Sequence, residues 1–219
     1  MARDARRSRR RSRSDTKNDD SGQNSLRVVT GKCRSSYMFC TQLTPSGQDD
    51  PESPKTVRTS VLIPKRDKET VRKIQRAIKA AAKKKFGNNV NVDSPKFKNP
   101  LQDGDQELKD GEIEGDHYKR HMFFNATGYK LPGVVNQGGN RIEDPDELDE
   151  ILVSGYFFRF SVTARGFDNE SRGVRFILNN IMFIEKGERL DNSIDPEDEF
   201  SEYADGDFED DDDFDDDDD

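Results

Sequence analysis

The sequence predicts a mainly β protein: a small antiparallel barrel of five strands with one inserted α-helix and disordered ends. Stretches of alternating apolar and polar residues recur along the chain, separated by loops rich in glycine and proline. Only one stretch has the apolar spacing of a helix. The 219 residues are 30% hydrophobic and 37% charged, which is too polar for one continuous globule.

Charge divides the chain into three parts. The formal net charge is −9, yet residues 191–219 hold eighteen Asp or Glu and no Lys or Arg, so the remainder carries about +9. We therefore expect a disordered arginine-rich arm at 1–25, a folded domain at 26–190 and a disordered acidic tail at 191–219. A basic folded domain favours a polyanionic partner.

The remaining composition indicates a soluble intracellular protein. No apolar run approaches the ~18 residues that span a bilayer, and no apolar segment follows the basic N-terminus as in a secretory signal. Cys33 and Cys40 are the only cysteines. Seven positions apart on a predicted strand, they should point to opposite faces and not form a disulfide.

The first strands lie near the N-terminus. Leu26–Leu43 is predicted as a strand with a break at Gly31, and Thr44–Lys55 as a loop. Alternation sets the faces: Tyr37 and Phe39 share one, whereas Lys32, Arg34 and Met38 share the other. Thr56–Ile63 is the second strand, ended by Pro64. Its inward residues are Val57, Thr59, Val61 and Ile63.

Asp67–Phe86 is the predicted helix, with Asp67 as N-cap and Gly87 after its end. One narrow apolar stripe runs along it, formed by Val71, Ile74, Ile78, Ala81 and Ala82. Arginines and lysines cover the other faces. They suit either a nucleic-acid recognition helix or a helix that packs its stripe on a barrel and solvates its cations, and the second interpretation is favoured.

A long polar excursion, residues 88–116, precedes the third predicted strand, His117–Thr127. Tyr118, Met122, Phe124 and Ala126 should face inward, and His117, Lys119, His121 and Phe123 outward. Gly128–Glu150 is predicted as loop with a short strand at Val134–Val135.

A hairpin organises the rest of the domain. Gly155–Phe167 and Val174–Ile184 are β-branched and aromatic, and the turn cluster 168–173 separates them. The first strand should bury Tyr156, Phe158, Phe160, Val162 and Ala164. Its other face carries no acidic residue and consists of Phe157, Arg159, Ser161, Thr163, Arg165 and Phe167. Such a face suits single-stranded nucleic acid, because arginines contact phosphates and rings stack on bases; an ordinary solvated sheet face is the alternative.

Known catalytic and metal patterns find no match. On a strand, His117 and His121 would lie ~13 Å apart, too far to share a metal. Asp103, Asp105 and Glu107 begin like a calcium loop, but Leu108 occupies the position that requires glycine. No phosphate-cradling glycine loop or nucleophile motif occurs. We therefore predict a protein that is not an enzyme and uses no cofactor.

Short motifs follow one another in a set order along the folded region. They are Gly31-Lys-Cys-Arg-Ser-Ser-Tyr37, Ser60-Val-Leu-Ile-Pro-Lys65, Pro100-Leu-Gln-Asp-Gly-Asp105, Pro132-Gly-Val-Val135, Ser154-Gly-Tyr156, Gly173-Val-Arg-Phe-Ile-Leu-Asn-Asn-Ile181 and Gly187-Glu-Arg-Leu190. In this order they resemble the bacteriophage single-stranded-DNA-binding proteins over about Gly31–Leu190, and Glu197–Asp219 matches that family's acidic tail. The resemblance implies an OB-type barrel that protects single-stranded DNA in phage replication and recombination, in the host cell cytoplasm.

The expected binding residues follow from strand alternation. Bases should stack on Phe123, Phe157 and Phe167, with Tyr37 and Phe39 as further candidates. Phosphates and nearby polar groups should meet Lys32, Arg34, Lys119, His121, Arg159, Arg165 and Arg175. In the tail, Phe200, Tyr203, Phe208 and Phe214 should anchor a replication or recombination protein.

Two other functions stay open at this level. An acidic chaperone or assembly factor would use the tail as its main contact with basic partners. A metal-dependent, structure-specific nuclease would need divalent cations held by the scattered carboxylates.

Overall fold

The protein is described by a computed structural model that covers residues 25–46 and 51–190. Its strands are β1 Arg27–Val29, β2 Cys33–Pro45, β3 Lys55–Pro64, β4 Phe97–Lys98, β5 Gln102–Asp103, β6 His121–Gly128, β7 Gly133–Val135, β8 Arg141–Ile142, β9 Phe157–Asp168 and β10 Arg172–Glu185. Its α-helices are α1 Lys68–Phe86, α2 Gly104–Asp110 and α3 Pro145–Ile151, and Asp116–Tyr118 forms one 3₁₀ turn. The predicted disordered arm and tail lie outside the described residues.

Five long strands form a closed ring. The order is β9, β2, β3, β6, β10, and β10 pairs again with β9. This connectivity is that of a five-stranded Greek-key barrel of the OB type, so the predicted fold class is confirmed. Two details differ from the prediction. β6 and β10 run parallel, with Phe176 opposite Ala126, and the described chain has three α-helices where one was expected.

The barrel interior is filled by alternate residues of the ring strands. Phe158, Phe160, Val162 and Ala164 of β9 are all buried, as the alternation predicts. The Phe124 and Phe176 rings, on the neighbouring strands β6 and β10, lie 4.4 Å apart between centroids. Burial of several phenylalanines supplies much of the hydrophobic stabilisation, at roughly 1.5–3 kcal/mol for each fully buried side chain.

Helix α1 packs its apolar stripe against the barrel near β9, β1 and β10. Asp67 caps it, because its carboxylate accepts a hydrogen bond from the Thr70 amide at 3.0 Å, and Gly87 follows its last residue. The Thr70 hydroxyl accepts a hydrogen bond from the Gly31 amide, at the break between β1 and β2. The predicted helix, cap and stripe are confirmed; Ala77 and Thr70 are buried as well.

The polar excursion is folded over the outside of the barrel. Leu62, Tyr118 and Phe123 form a second buried cluster, against which Leu108 and Ile113 pack. The third barrel strand begins at His121 and not at residue 117, because the chain first makes the 3₁₀ turn. Tyr118 therefore lies in this second cluster and not inside the barrel, contrary to the prediction.

A bulge in β2 changes which residues face the core. Ser36 lies opposite Ser60, but Phe39 lies opposite Arg58, so β2 has one extra residue here. Tyr37 takes a φ of +51°. Beyond the bulge, Met38 and Cys40 point inward.

The two cysteines are affected by the same bulge. Cys33 and Cys40 are both buried in the main core cluster, so the prediction that they point to opposite faces is wrong. Both thiols are free, and burial raises the pKa of each to about 12. Within the described ranges, no helix has the length and apolar character to cross a membrane.

Candidate nucleic-acid interface

Tyr37 and Phe39 form an exposed aromatic pair on the outer face of β2. Their side chains are 58% and 47% exposed, and their ring centroids are 6.4 Å apart. The bulge brings Tyr37 to this face, and the Met38 amide donates to the Ser154 hydroxyl at 2.9 Å. A left-handed conformation at a residue other than glycine costs about 1–3 kcal/mol and tends to occur at functional sites. The observed strain coincides with two uncovered rings.

These rings border the aromatic cavity, a depression of about 490 Å³ on the outer face of β3 and β6. It is lined by Tyr37, Phe39, Arg58, Thr59, Ser60, Asn125 and Thr127. The Arg58 guanidinium lies 5.1 Å from the Phe39 ring centroid. The Ser60 hydroxyl donates to Asn125 Oδ1 at 2.5 Å. The cavity thus combines flat apolar surfaces, one cation and short polar groups, which suits a nucleotide.

A basic groove of about 640 Å³ lies further along the same strands, beyond the second cluster. It is lined by Arg34, Pro64, Lys65, Arg66, Asp105, Lys119, Arg120, His121 and Phe157. Arg66, Lys119 and Arg120 are exposed. In the described chain, Arg66 and Arg120 have no ion-pair partner, whereas Lys119 pairs with Asp116 at 2.7 Å.

An ion-pair network shapes the wall of the basic groove. Lys65 contacts Asp103 and Asp105, the latter at 2.7 Å. Asp105 also accepts from the Arg120 amide at 2.9 Å, which holds Arg120 at a φ of +60°. The hydrogen bond from Lys65 is the main reason that the pKa of Asp105 is lowered. Both carboxylates belong to the stretch that in sequence resembles the start of a calcium loop. Here Asp105 holds the Arg120 backbone, and Asp103 is the N-cap of α2.

Arg34 has a structural task within the basic groove. Its Nε donates to the Gly155 carbonyl at 3.0 Å and its Nη2 to the Glu188 carbonyl at 2.7 Å. The side chain is only 16% exposed. It fastens the segment that follows β10 to the barrel. The expectation that Arg34 serves phosphates is therefore at odds with its geometry.

Two histidines lie close to Arg34. The His117 ring lies tilted against the Tyr118 ring with centroids 4.5 Å apart, and His121 Nδ1 is 2.7 Å from the Lys119 carbonyl oxygen. Burial lowers the pKa of both imidazoles, and the charge of Arg34 lowers them further. Both rings are therefore mainly neutral at pH 7.

Other predicted residues join or leave this interface. Phe157 lines the basic groove, and the Lys32 ammonium lies 4.6 Å from its ring centroid while also pairing with Glu185. Phe123 is only 3% exposed beneath Tyr118, so the prediction that its ring is open for stacking is wrong. Phe123 does point away from the barrel interior, as the alternation predicts, but the polar excursion covers it.

The remaining predicted residues lie elsewhere on the barrel. Arg159 donates to the Thr30 carbonyl at 3.4 Å, close to the start of α1. Arg165 borders a groove at the end of α1, and half-buried Phe167 packs near Gly173. Arg175 lies 5.8 Å from the Tyr129 ring centroid. The tail aromatics Phe200, Tyr203, Phe208 and Phe214 lie outside the described residues.

Four residues that line the aromatic cavity or the basic groove are absent from the set predicted from the sequence: Arg58, Asn125, Arg66 and Arg120. For Arg58 the sequence does carry a signal, because it lies between the inward residues Val57 and Thr59 and must therefore face outward. Arg66 and Arg120 lie in turns, where no period indicates a direction.

The sequence is similar to those of known phage proteins. The family described as the single-stranded-DNA-binding protein of Enterobacter phage Enc34 matches residues 26–214. Protein p50 of Acyrthosiphon pisum secondary endosymbiont phage 1 is 26% identical over 134 residues, which cover 60% of this chain and 70% of that protein.

Solved structures share the fold. The single-stranded DNA-binding protein of bacteriophage Enc34, in complex with single-stranded DNA, is similar with a TM-score of 0.63 and 18% identity, over 76% of this chain and 90% of that one. The single-stranded DNA-binding protein gp2.5 of bacteriophage T7 is similar with a TM-score of 0.51 and 14% identity, over 77% and 97%.

Proposed function

The chain belongs to the family of the Enterobacter phage Enc34 single-stranded-DNA-binding protein, and on this basis we propose that it binds single-stranded DNA without sequence preference. It would protect and organise exposed strands during phage DNA replication and recombination, in the cytoplasm of the host cell. The role is one of binding, without catalysis and without a cofactor.

The exposed Tyr37–Phe39 pair is the observation that carries this proposal. Two uncovered rings on a strained bulge would be costly on a surface with no ligand, whereas each base stacked on an aromatic ring contributes roughly 1–3 kcal/mol. The rings border the second and third barrel strands, β3 and β6, which form the usual binding face of OB folds. Phe157 offers a third ring in the basic groove.

Cations on both sides of these rings suit a DNA backbone. Arg58 would serve the aromatic cavity, and Arg66, Lys119 and Arg120 the basic groove. Because the strand contacts them through phosphates, affinity would depend on salt and not on base order. Lys32, held by Glu185 and Phe157, would contribute at the edge of the groove.

We further propose the division into an arm at 1–25, a DNA-binding barrel at 26–190 and an acidic tail at 191–219. The tail would compete with DNA for the basic surface and, through Phe200, Tyr203, Phe208 and Phe214, recruit replication or recombination proteins. Arg34 holds the chain just before the tail against the rim of the basic groove, which supports a local competition.

Fluorescence anisotropy tests the proposal. Labelled oligo-dT, a matched duplex and a basic protein are titrated in parallel, with and without magnesium. We expect tight binding of oligo-dT, and no dependence on magnesium beyond screening. Tighter binding of the basic protein than of oligo-dT would instead support an acidic chaperone or assembly factor. Cleavage of DNA that depends on magnesium would support a nuclease.

The double change Tyr37→Ala and Phe39→Ala should weaken oligo-dT binding about tenfold or more, since rings supply stacking energy. The slope of log K against log salt should stay constant, because rings release no counterions. Val29→Ala, which trims an apolar side chain that is 55% exposed on β1, is the control. Equal affinity of the double variant and the control would exclude the aromatic cavity as the site.

A further inference from the structure

We propose a second contact region for the bound single strand, the rear groove, which lies between the end of helix α1 and the outer face of the β9–β10 hairpin. The inference rests on the proposed function. The rear groove has a volume of about 550 Å³ and is lined by Leu26, Ala81, Lys84, Lys85, Thr163, Ala164, Arg165, Gly166, Ile177 and Asn179. It is separate from both the aromatic cavity and the basic groove.

Positively charged side chains cluster at the rear groove, and none of the acidic residues that the structure describes lines it. Lys84, Lys85 and Arg165 line it and are exposed, and Arg175 lies directly opposite Arg165 in the β9–β10 register. Among the described residues, none of these four cations has an ion-pair partner. Like charges directly opposite on paired strands destabilise a sheet. An anion bound between them would remove that repulsion.

Neutral groups complete the rear groove. Asn179 donates to the Thr163 hydroxyl at 2.9 Å, so the floor is formed by short polar side chains that are already oriented. Tyr129, 47% exposed, lies beside Arg175 at the adjoining edge. Cations around a polar floor with a ring at the border suit a phosphodiester backbone with an adjacent base.

A continuous row of outward-facing residues connects the aromatic cavity with the rear groove. Registers place Phe39 opposite Arg58, Arg58 opposite Thr127, Thr127 opposite Ile177, and Ile177 opposite Thr163. Thr127 belongs to the aromatic cavity, whereas Ile177 and Thr163 belong to the rear groove. Neighbouring strands are ~4.8 Å apart, so the row extends about 20 Å over the curved sheet.

This row contains no acidic residue, so a strand leaving the aromatic cavity across β6 and β10 meets no repulsion before it reaches Arg165 and Arg175. The continuity favours DNA as the occupant. OB folds contact about 4–16 nucleotides, so a second contact region remains within the range of one fold. Short strands would then use the front of the barrel only, and longer strands both regions.

The test compares two oligonucleotides on the full-length chain. The groove variant carries Lys84→Gln, Lys85→Gln and Arg165→Gln, and so lacks three cations that line the rear groove. The control variant carries Lys68→Gln, Arg72→Gln and Lys79→Gln, and so lacks three exposed cations of α1 that do not line it. Both variants have the same net charge. Their binding to dT of about five and about twenty nucleotides is measured over a range of salt concentrations.

We expect the groove variant to bind the short oligonucleotide like the control, and the long one at least about tenfold more weakly at low salt. For the long oligonucleotide, the slope of log K against log salt should become shallower by roughly 0.7 for each lost phosphate contact. If the groove variant and the control bind the long oligonucleotide with equal affinity and equal salt dependence, the rear groove is not a contact region for DNA. If wild-type protein fails to bind even the long oligonucleotide, the proposed function itself fails.

Cross-linking identifies the occupant. With 4-thiothymidine near one end of the long oligonucleotide, we expect cross-links to Tyr129 or to the end of α1, detected by mass spectrometry. A loss of affinity without any cross-link at the rear groove would mean that the groove holds another polyanion, such as the acidic tail, and would overturn DNA as its ligand.

Discussion

At the scale of single residues, the charge of a side chain did not predict its task. Arg34 and Arg66 both line the basic groove. The Arg34 guanidinium donates hydrogen bonds to the Gly155 and Glu188 carbonyls, whereas the Arg66 side chain is exposed to solvent. A guanidinium has five donors in a rigid fork, which suits two backbone carbonyls as well as a phosphate. Burial distinguishes the two uses.

Arg34→Ala should lower the free energy of unfolding by about 1.5–3 kcal/mol, since charged hydrogen bonds to two carbonyls are lost. Urea unfolding followed by circular dichroism measures this. Arg66→Ala is the matched control. Its free energy of unfolding should stay within about 0.5 kcal/mol of wild type. The slope of log K against log salt for its binding of single-stranded DNA should become shallower by roughly 0.7. The opposite pattern would make Arg34 the phosphate contact and Arg66 the structural residue.

The histidines give stability a pH dependence. The pKa values of His117 and His121 are lowered in the folded state, so below the ordinary value of about 6.5 the unfolded chain binds more protons than the folded one. The free energy of unfolding should therefore fall as the pH drops from about 7.5 to 5.5. His117→Gln with His121→Gln should flatten this dependence in urea titrations; an unchanged curve would assign it to other groups.

At the scale of elements, the bulge in β2 decides which side chains lie on the outer face of that strand. Without the extra residue, strict alternation would put Arg34 and Tyr37 on opposite sides. With it, Arg34, Tyr37 and Phe39 all reach the outside while Cys33 and Cys40 fill the core. The bulge thus joins the aromatic cavity to the basic groove.

Tyr37→Gly and Tyr37→Ala test the strain directly. At a positive φ glycine is favoured over alanine by roughly 1–2 kcal/mol, so Tyr37→Gly should be the more stable variant. At Phe39, an ordinary strand position, glycine should be less stable than alanine by about 0.5–1 kcal/mol. Thermal unfolding of the four variants measures both differences. The same order at both positions would argue against the left-handed conformation.

At the scale of the whole molecule, a basic barrel is tethered to a strongly acidic tail. Eighteen carboxylates follow Leu190, whose amide donates to the Ser154 carbonyl at 3.0 Å close to the bulge. Under the proposed competition with DNA, this attachment would give the tail a high effective concentration near the aromatic cavity and the basic groove. Screening by salt would weaken such an attraction between the acidic tail and the basic barrel.

Removal of Glu197–Asp219 should tighten binding of single strands at low salt, with a difference that narrows as salt rises, and should abolish partner binding. The matched variant changes Phe200, Tyr203, Phe208 and Phe214 to Ser. It keeps the charge, so DNA affinity should equal that of wild type while partner binding is lost. Anisotropy at about 20 and 200 mM salt gives the first readout. Equal DNA affinity with and without the tail at both concentrations would leave it only a solubilising role.

The sequence by itself determined the features that depend on neighbouring residues. The alternation in β9, the capped amphipathic helix α1 and the separation of basic body from acidic tail can all be read locally, because strand and helix periods and charge runs need no knowledge of the fold. The ordered motifs likewise indicated the family.

Only the tertiary structure decided which outward residues stay accessible. Phe123 faces outward as predicted, but Tyr118 and the excursion cover it; Arg34 is held by carbonyls 121 and 154 positions away. Arg165 lines the rear groove, Arg175 lies opposite it in the register, and neither residue lines the aromatic cavity. Each of these outcomes depends on contacts between residues distant in the chain, or on a single inserted residue that reverses every later side chain, and no local period records either.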